Sequence, residues 1–273
     1  MTKIYEDLIN IIDYEPDKDE ELYWEKDYKK HLTINYVVFW LYVIIAAFGI
    51  FCLWANVPWG IYVVFIFLII NHIYIKNYTK RRFAPITIHM NACNFKKLLT
   101  VYMTLQKHHK YNTKNTGVML SNIANALFYL GRTEEAKKVV DLAEKYCDTP
   151  EGNGYRAAIY AMAAMREKDK SAVEQYVKEF QEYMSQKNVP HMKKTYEVIS
   201  KYPLVMEAEA KGDYVKTKEL LERKHDEFTY QKVGMNYGLY KAAKAAGMEV
   251  EAEKHRAFVL ANGGDTYYKK ELQ

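Results

Sequence analysis

The sequence predicts an all-α protein in which a pair of membrane-spanning helices precedes a larger helical domain. Two observations support this fold class. From Leu32 to Ile75 the chain contains no Asp, Glu, Lys or Arg, although these residues make up 27% of the whole chain. After residue 76, apolar residues recur at helical spacing in segments separated by Gly, Asn, Asp or Pro, and strand signals are few. The first pattern is typical of a membrane-embedded segment and the second of packed helices.

The uncharged stretch is broken in its middle by a turn sequence at residues 56–60, which leaves two spans of about residues 34–55 and 59–75. A helix needs about 20 apolar residues to cross the hydrocarbon core, with a range of about 17 to 25. Helices are expected because every backbone polar group in lipid must be satisfied within the segment. Residues 32–75 are therefore predicted to form a two-helix transmembrane hairpin.

Basic residues predict the orientation of this hairpin. Lysines precede the first span, lysines and arginines follow the second, and the connecting turn has neither. Because positive charge is retained on the cytoplasmic side, we expect a two-span protein of the cell membrane with both termini in the cytoplasm. The chain begins with polar and acidic residues, so no cleaved signal peptide is expected. Cys52, Cys93 and Cys147 are widely separated, which fits free thiols in a reducing compartment.

Charge is segregated along the chain. Residues 1–31 form an acidic segment with five Lys against ten Asp and Glu, whereas residues 76–116 carry nine Lys and Arg and no acid. Cations beside a membrane are attracted to anionic headgroups. The candidate anionic-lipid contacts are Lys76, Lys80, Arg81 and Arg82. Two alternatives stay open. Either the excess of positive charge only sets the membrane topology, or the acidic segment folds against the basic one. Nucleic-acid binding is not indicated, because no recognition motif accompanies the charge.

The remaining region, residues 117–273, is predicted to consist of helical repeats, and residues 76–116 to be a basic juxtamembrane helical segment. The pattern is clearest around residues 121–150, where Ala124 and Ala136 are small enough for two helices to approach closely. Gly131 lies between them, where a left-handed residue would end the first helix. Thr133 follows as a candidate N-cap of the second helix. This segment resembles a tetratricopeptide repeat, a pair of antiparallel helices of about 34 residues.

The same turn recurs downstream at Lys168-Asp169, Gly212-Asp213 and Gly247-Met248, at spacings of 37, 44 and 35 residues from Gly131-Arg132 onward. A partial unit with its turn at Asn94-Phe95 is expected before them. The resemblance covers about residues 117–260, strongly in one unit and loosely in three. It implies a TPR-like α-helical solenoid, and a generic helical solenoid is the alternative.

Proteins of the tetratricopeptide-repeat family usually bind peptides or proteins on a concave surface lined by the first helix of each unit. Carried over to this chain, the family's groove positions are Asn125, Phe128, Tyr155, Met162, Arg166, Tyr202, Met206, Glu209, Tyr237, Lys241 and Lys244. Ser121 stands where family members that clamp a terminal carboxylate have Lys, so no such clamp is expected. The alternative for each position is a purely structural place in the helix core.

Signatures of catalysis, metal binding and cofactor binding are missing from the sequence. His108 and His109 are adjacent and would point to different faces of a helix, and no His-Glu-x-x-His or paired Cys spacing occurs. No phosphate-binding loop follows Gly152 or Gly263. Asn71 and His72 are polar residues near the cytoplasmic end of the second span, where they either reach the interface or bond between helices. No cofactor or metal is predicted.

These features together predict a membrane-anchored, non-catalytic interaction protein, a scaffold or tether whose helical repeats bind a protein or peptide. Two other function classes stay open. The first is an oligomeric transport or channel subunit, in which several hairpins surround a pore, although the spans have little polarity to line water. The second is a membrane enzyme whose site the linear sequence does not display.

Overall fold

The computed structural model describes residues 2–57, 59–108, 113–146, 150–186, 190–222 and 228–273. Throughout these ranges every regular element is an α-helix, so the all-α fold class is confirmed, with two long apolar helices followed by further helices. His109 and Cys147, named above, lie outside the described residues.

Fourteen α-helices occur in the described ranges. In chain order they are α1 (Lys3–Ile11), α2 (Lys18–Trp54), α3 (Trp59–Asn91), α4 (Phe95–His108), α5 (Thr113–Tyr129), α6 (Thr133–Tyr146), α7 (Pro150–Glu167), α8 (Lys170–Gln186), α9 (Pro190–Ile199), α10 (Tyr202–Ala210), α11 (Tyr214–Leu221), α12 (Thr229–Ala245), α13 (Glu249–Asn262) and α14 (Tyr267–Lys270).

The chain divides into two compact units. One, the hairpin unit, comprises Lys18–Ile88, and the other, the helical unit, comprises Met1–Asp17 together with His89–Gln273. The acidic segment treated above as one piece, residues 1–31, is therefore divided between the units. Its first part contains α1, which packs against α4 and α6. In sequence, the hairpin unit is an insertion into the helical unit.

In the hairpin unit, α2 and α3 run antiparallel. The rings of Trp24 and Phe83 are 6.4 Å apart at one end, and those of Tyr42 and Phe67 are 6.4 Å apart in the middle. With 37 and 33 residues, the helices are about 55 and 50 Å long, so both extend beyond the roughly 30 Å hydrocarbon core.

The apolar part of each long helix is exposed within the structure. In the most apolar 18-residue window, 6% of the residues of α2 and 11% of those of α3 are buried. A core helix of a water-soluble domain would bury most of such a window. Both helices are long and apolar enough to cross a membrane, as the sequence predicted.

Polar side chains join the two long helices near Asp27. The Arg82 guanidinium lies 2.6 Å from the Asp27 carboxylate, and the Arg82 side chain is 8% exposed. An acidic residue of the first 31 thus pairs with a basic residue of the juxtamembrane region, as one alternative proposed. Asn71 is 8% exposed and its amide nitrogen has no hydrogen-bond partner among the described residues, whereas His72 is exposed.

The helical unit is built from antiparallel helix pairs. The closest pairs are α5 with α6, α7 with α8, and α12 with α13, and neighbouring pairs also pack where α6 meets α7 and α11 meets α12. One core cluster centres on Phe180 between α7, α8 and α9, and another on Leu239 between α11, α12 and α13. Each pair buries the apolar face of its neighbour, which is the packing of a helical array.

The turns inside these pairs share one geometry. Cys93, Gly131, Lys168, Gly212 and Gly247 all have positive φ, between 51° and 89°. In each turn the next residue donates its N–H to the carbonyl five positions earlier, at 2.9 to 3.0 Å. This is the Schellman end of a helix, which uses a left-handed residue. Four turns lie where the sequence predicted them, and the turn of the partial unit falls one residue earlier, at Cys93-Asn94.

Candidate functional site

The helical unit surrounds a cavity of about 1280 Å³. Its walls come from α4, α5, α7, α9, α10, α12 and α14 and from the end of α11. Eight of the eleven predicted groove residues line it: Asn125, Phe128, Met162, Arg166, Tyr202, Glu209, Tyr237 and Lys241. The structure thus brings together residues from four separate units, and their binding role stays a prediction.

Three predicted groove residues lie elsewhere. Tyr155 packs against the core cluster around Phe180 between α7 and α8. The Lys244 ammonium lies over the Tyr240 ring, 5.7 Å from its centroid, on an exposed part of α12. Met206 does not line the cavity. For Tyr155, the structural alternative considered at the outset accounts for its position.

The C-terminal segment lines the cavity, which the sequence did not predict. Tyr267 is 6% exposed, and its ring makes an edge contact with Phe128 at 5.7 Å between centroids. The Tyr268 ring lies 4.9 Å from that of Tyr237 on α12. A short helix, α14, therefore occupies one side of the surface that the family pattern would leave open.

Arg166 connects this segment to the first repeat turn. Its guanidinium donates hydrogen bonds to the Gly131 carbonyl at 3.1 Å and to Thr133 Oγ1 at 2.8 Å. It also lies 4.1 Å from the Tyr267 ring centroid and 3.1 Å from the Glu271 carboxylate. Arg166 lines the cavity, and three of its hydrogen bonds and one of its planar faces are engaged within the protein.

The Glu271 carboxylate has a second partner, because the Tyr237 hydroxyl donates a hydrogen bond to it. Burial, followed by this hydrogen bond to a carboxylate, raises the pKa of Tyr237 well above its ordinary value. Tyr237 therefore stays a neutral donor at physiological pH. Both Glu271 and Arg166 are satisfied within the structure, and neither offers a free charge to the cavity.

The end of the chain also caps the start of the array. The Asp265 carboxylate accepts hydrogen bonds from the N–H groups of Phe95 at 2.7 Å and Lys96 at 2.8 Å. The Asp265 N–H donates to the Cys93 carbonyl at 3.1 Å. Gly264 has φ +52°, and a Cβ there would lie 2.3 Å from the same carbonyl oxygen, so only glycine fits.

Aromatic rings continue this junction between the first and last helices. Phe95 stacks on Tyr129 at 4.6 Å, and Tyr129 meets Tyr230 of α12 edge-on at 5.1 Å. Such aromatic pairs add to the energy of burial. These contacts join α4, α5 and α12 within the helical unit. The concave binding surface that the resemblance implies stays a prediction.

Glu209 is a predicted groove residue whose carboxylate no described residue bonds. It lies on the α10 wall, partly buried, and no described residue donates a hydrogen bond to its carboxylate. Burial raises the pKa of Glu209, and the positive charges of Lys241 and Lys168 oppose this shift only in part. The Lys241 ammonium instead lies 4.9 Å from the centroid of the Tyr237 ring.

Groups outside the cavity have structural roles. His255 bonds to Tyr214 at 3.1 Å and to Asn236 at 2.8 Å, and burial lowers its pKa. Burial raises the pKa of the Cys93 thiol to about 12, which leaves it unreactive as a nucleophile. Within the described ranges, no group of three or more His, Cys, Asp or Glu side chains could hold a metal ion.

The candidate lipid contacts fall into two groups. Lys76, Lys80 and Arg81 are exposed on α3. Arg82 faces α2, where it pairs with Asp27. The charge of Arg82 is thus paired within the hairpin unit, and contact of the other three with lipid stays a prediction.

Comparisons of the chain with protein-family models, with curated proteins and with solved structures gave no match. The repeated helix pairs rest on the turn geometry described above, and membership of the tetratricopeptide-repeat family stays a resemblance.

Proposed function

We propose that this protein is a membrane-anchored interaction module, non-catalytic itself, in which the hairpin unit spans the cell membrane and the helical unit binds a protein or peptide partner. The observation that carries the proposal is the cavity of about 1280 Å³, whose wall combines aromatic, Met and charged side chains from several helix pairs. This volume exceeds the roughly 300 to 1,000 Å³ of sites for small molecules, so a peptide segment is the better fit.

The composition of the cavity wall supports peptide binding. Met162, Met165 and Met235 contribute flexible apolar side chains that repack around different residues. Tyr202 and Tyr230 add large rings with polar tips. Such a wall accepts apolar side chains and still offers hydrogen bonds to a peptide backbone.

The hairpin unit supplies the anchor. The apolar surfaces of α2 and α3 are exposed in the structure, and little of either is buried by protein. A lipid bilayer would cover these surfaces. The distribution of basic residues favours both termini and the whole helical unit on the cytoplasmic side. Lys76, Lys80 and Arg81 then lie beside the anionic leaflet and strengthen the attachment.

Site-specific photocrosslinking in intact cells tests the binding role. A photoreactive amino acid at Asn125, which lines the cavity, is expected to capture a distinct partner polypeptide. The same group at Met206, which does not line it, serves as the matched control. Adding Met162→Arg should abolish the Asn125 adduct, while the protein stays in the membrane fraction. If both positions capture only copies of this chain, and Met162→Arg has no effect, the proposal is wrong.

Cysteine labelling tests the orientation. A cysteine placed at Asn56, in the turn, should react with a membrane-impermeant maleimide added to intact cells. A cysteine at Thr2, in the helical unit, should react only after the cells are permeabilised. The reverse pattern would place the helical unit outside the cell and contradict the proposal.

A further inference from the structure

The charges on the cavity wall are unequally satisfied. Arg166 is held by Gly131, Thr133 and Glu271, as described above. The Lys201 ammonium donates a hydrogen bond to the Leu220 carbonyl at 3.3 Å. Lys241 lies over the Tyr237 ring. These three cations therefore have partners within the described part of the protein, and Lys168 and Lys194 also line the cavity.

The acids on the same wall differ from one another. Glu271 is held by Arg166 and Tyr237. Glu219, near the end of α11, pairs with Lys216 at 2.9 Å. Glu209 is partly buried and, among the described residues, receives no hydrogen bond. A half-buried carboxylate that no described protein group bonds can accept hydrogen bonds from a donor that a ligand brings.

The surroundings of Glu209 suit a basic side chain. Tyr202 and Val205 lie on the same helix and line the cavity, and Tyr237 lines it from α12. Apolar and aromatic walls accommodate the methylene stem of Lys or Arg, and tyrosine rings attract its charged head. Arg fits best, since its planar fork bonds a carboxylate through two N–H groups while stacking on a ring.

We propose that the cavity binds a peptide segment of its partner with an Arg or Lys side chain seated on Glu209, an inference that rests on the proposed function. Lys241 and Lys168 are the competing charges near this carboxylate, from α12 and from the turn after α7. The cation of the bound ligand donates a direct, charge-assisted hydrogen bond to the Glu209 carboxylate. This bond replaces part of the electrostatic effect that the two lysines have on Glu209. The partner is thereby defined by chemistry as a segment that combines a basic residue with apolar neighbours.

The test uses the full chain, purified in detergent micelles and immobilised, together with pools of acetylated and amidated pentapeptides. Every pool has one fixed central residue, which is Arg, Lys, citrulline, norleucine or Glu, in an otherwise randomised sequence. Peptides retained from each pool are quantified by mass spectrometry. Asn125→Trp, which fills the cavity, gives the background.

The Arg and Lys pools are expected to be retained about tenfold above the citrulline and norleucine pools, with the Glu pool lowest. Glu209→Gln should reduce this preference to within about twofold. Glu207→Gln, at an exposed residue of the same helix that does not line the cavity, is the matched control and should keep the preference. Lys241→Gln should increase it, because a competing cation is removed, and this variant keeps Glu209 itself intact.

The outcomes separate this inference from the proposed function. If all pools are retained equally above the Asn125→Trp background, the cavity binds peptides but the basic-residue inference is overturned. The same conclusion follows if Glu209→Gln keeps the preference or Lys241→Gln weakens it. If no pool exceeds the background, while circular dichroism shows a folded protein, the proposed function fails as well.

Discussion

Asp265 caps the helix that begins at Phe95, from a position 170 residues later in the chain, with its Oδ1 2.7 Å from the Phe95 nitrogen. N-caps are normally supplied by the residue just before the helix. Asn94 occupies that place and accepts a hydrogen bond from Lys97 at 3.3 Å. The N-terminus of α4 is therefore capped twice, once locally and once by the end of the chain. The second cap attaches the C-terminal segment to α4.

Replacing Asp265 with Ala should destabilise the helical unit by about 1 to 2 kcal/mol, since one side chain satisfies two backbone donors. Chemical denaturation followed by circular dichroism measures this loss. Carboxypeptidase should also shorten the variant faster than the wild type, because the C-terminal segment loses its attachment. Asp169→Ala, which removes a local cap of α8, is the control and should destabilise the fold without increasing trimming. Equal trimming of the two variants would contradict this role of Asp265.

Arg166 and Glu271 form an ion pair whose two members should respond unequally to mutation. Glu271→Gln should cost less than about 1 kcal/mol, because the side chains are 28% and 42% exposed and solvent screens the pair. Arg166→Ala should cost about 2 to 3 kcal/mol, since it also removes two hydrogen bonds and the contact with Tyr267. Denaturation of both variants and of the double mutant gives the two losses and their coupling. Equal losses would show that the other contacts of Arg166 contribute little.

The positive-φ turns allow a graded test of the shared Schellman geometry. Gly212→Ala should cost about 1 kcal/mol from the left-handed backbone alone, because nothing lies within 4 Å of the added Cβ. Gly131→Ala should cost more, since its Cβ would also lie 3.0 Å from that of Tyr267. Lys168→Gly should stabilise the fold by up to about 1 kcal/mol, as Lys168 has φ +61° without being glycine. Thermal melts that rank these variants in another order would refute the assignment.

Glu209 gives a pH-dependent prediction. Its pKa is raised in the folded state above the ordinary value of 4.5, so the native protein binds more protons than the unfolded chain just above that pH. The contribution of Glu209 to the free energy of unfolding therefore falls as the pH rises from 4.5 through the pKa of this carboxyl in the folded state. Glu209→Gln should be more stable than the wild type at pH 7 and equally stable near pH 4.

Glu207, two residues earlier, is the matched control for Glu209. It is exposed, and the hydrogen bond from Lys211 lowers its pKa. The sign is therefore opposite: its contribution is present above the unfolded pKa and is lost as pH falls through the lower folded value. Glu207→Gln should be slightly less stable than the wild type at pH 7. Denaturation curves at several pH values distinguish the two variants, and parallel pH profiles would disprove the burial of Glu209.

The parts of the fold that depend on local sequence were predictable, and those that depend on distant contacts were not. A charge-free run predicts the long helices, and Gly131 predicts a left-handed helix end, because each signal lies within a few residues of the feature. The Asp265 cap, the position of Tyr267 and the engagement of Arg166 join segments more than 100 residues apart. Nothing in the repeat pattern required the last residues to return to the first turn.

Gly60 in the hairpin unit gives a final prediction, because α3 lies close to Cys52 of α2 at this residue. A Cβ at Gly60 would lie 2.9 Å from the Cys52 Cβ, nearer than packed side chains allow. Gly60→Ala should therefore separate the helices near the turn, at a cost of about 1 to 3 kcal/mol. Gly49→Ala is the control, since its Cβ would make an ordinary contact of 3.5 Å with Val64.

All four tryptophans belong to the hairpin unit, so tryptophan fluorescence in micelles reports on this unit separately from the helical unit. Gly60→Ala should lower the temperature of the fluorescence transition, and Gly49→Ala should leave it nearly unchanged. The circular dichroism of the whole chain, which the helical unit dominates, should change little in either variant. A fluorescence transition that is unaltered by Gly60→Ala would mean that α2 and α3 do not pack through Gly60 in the micelle.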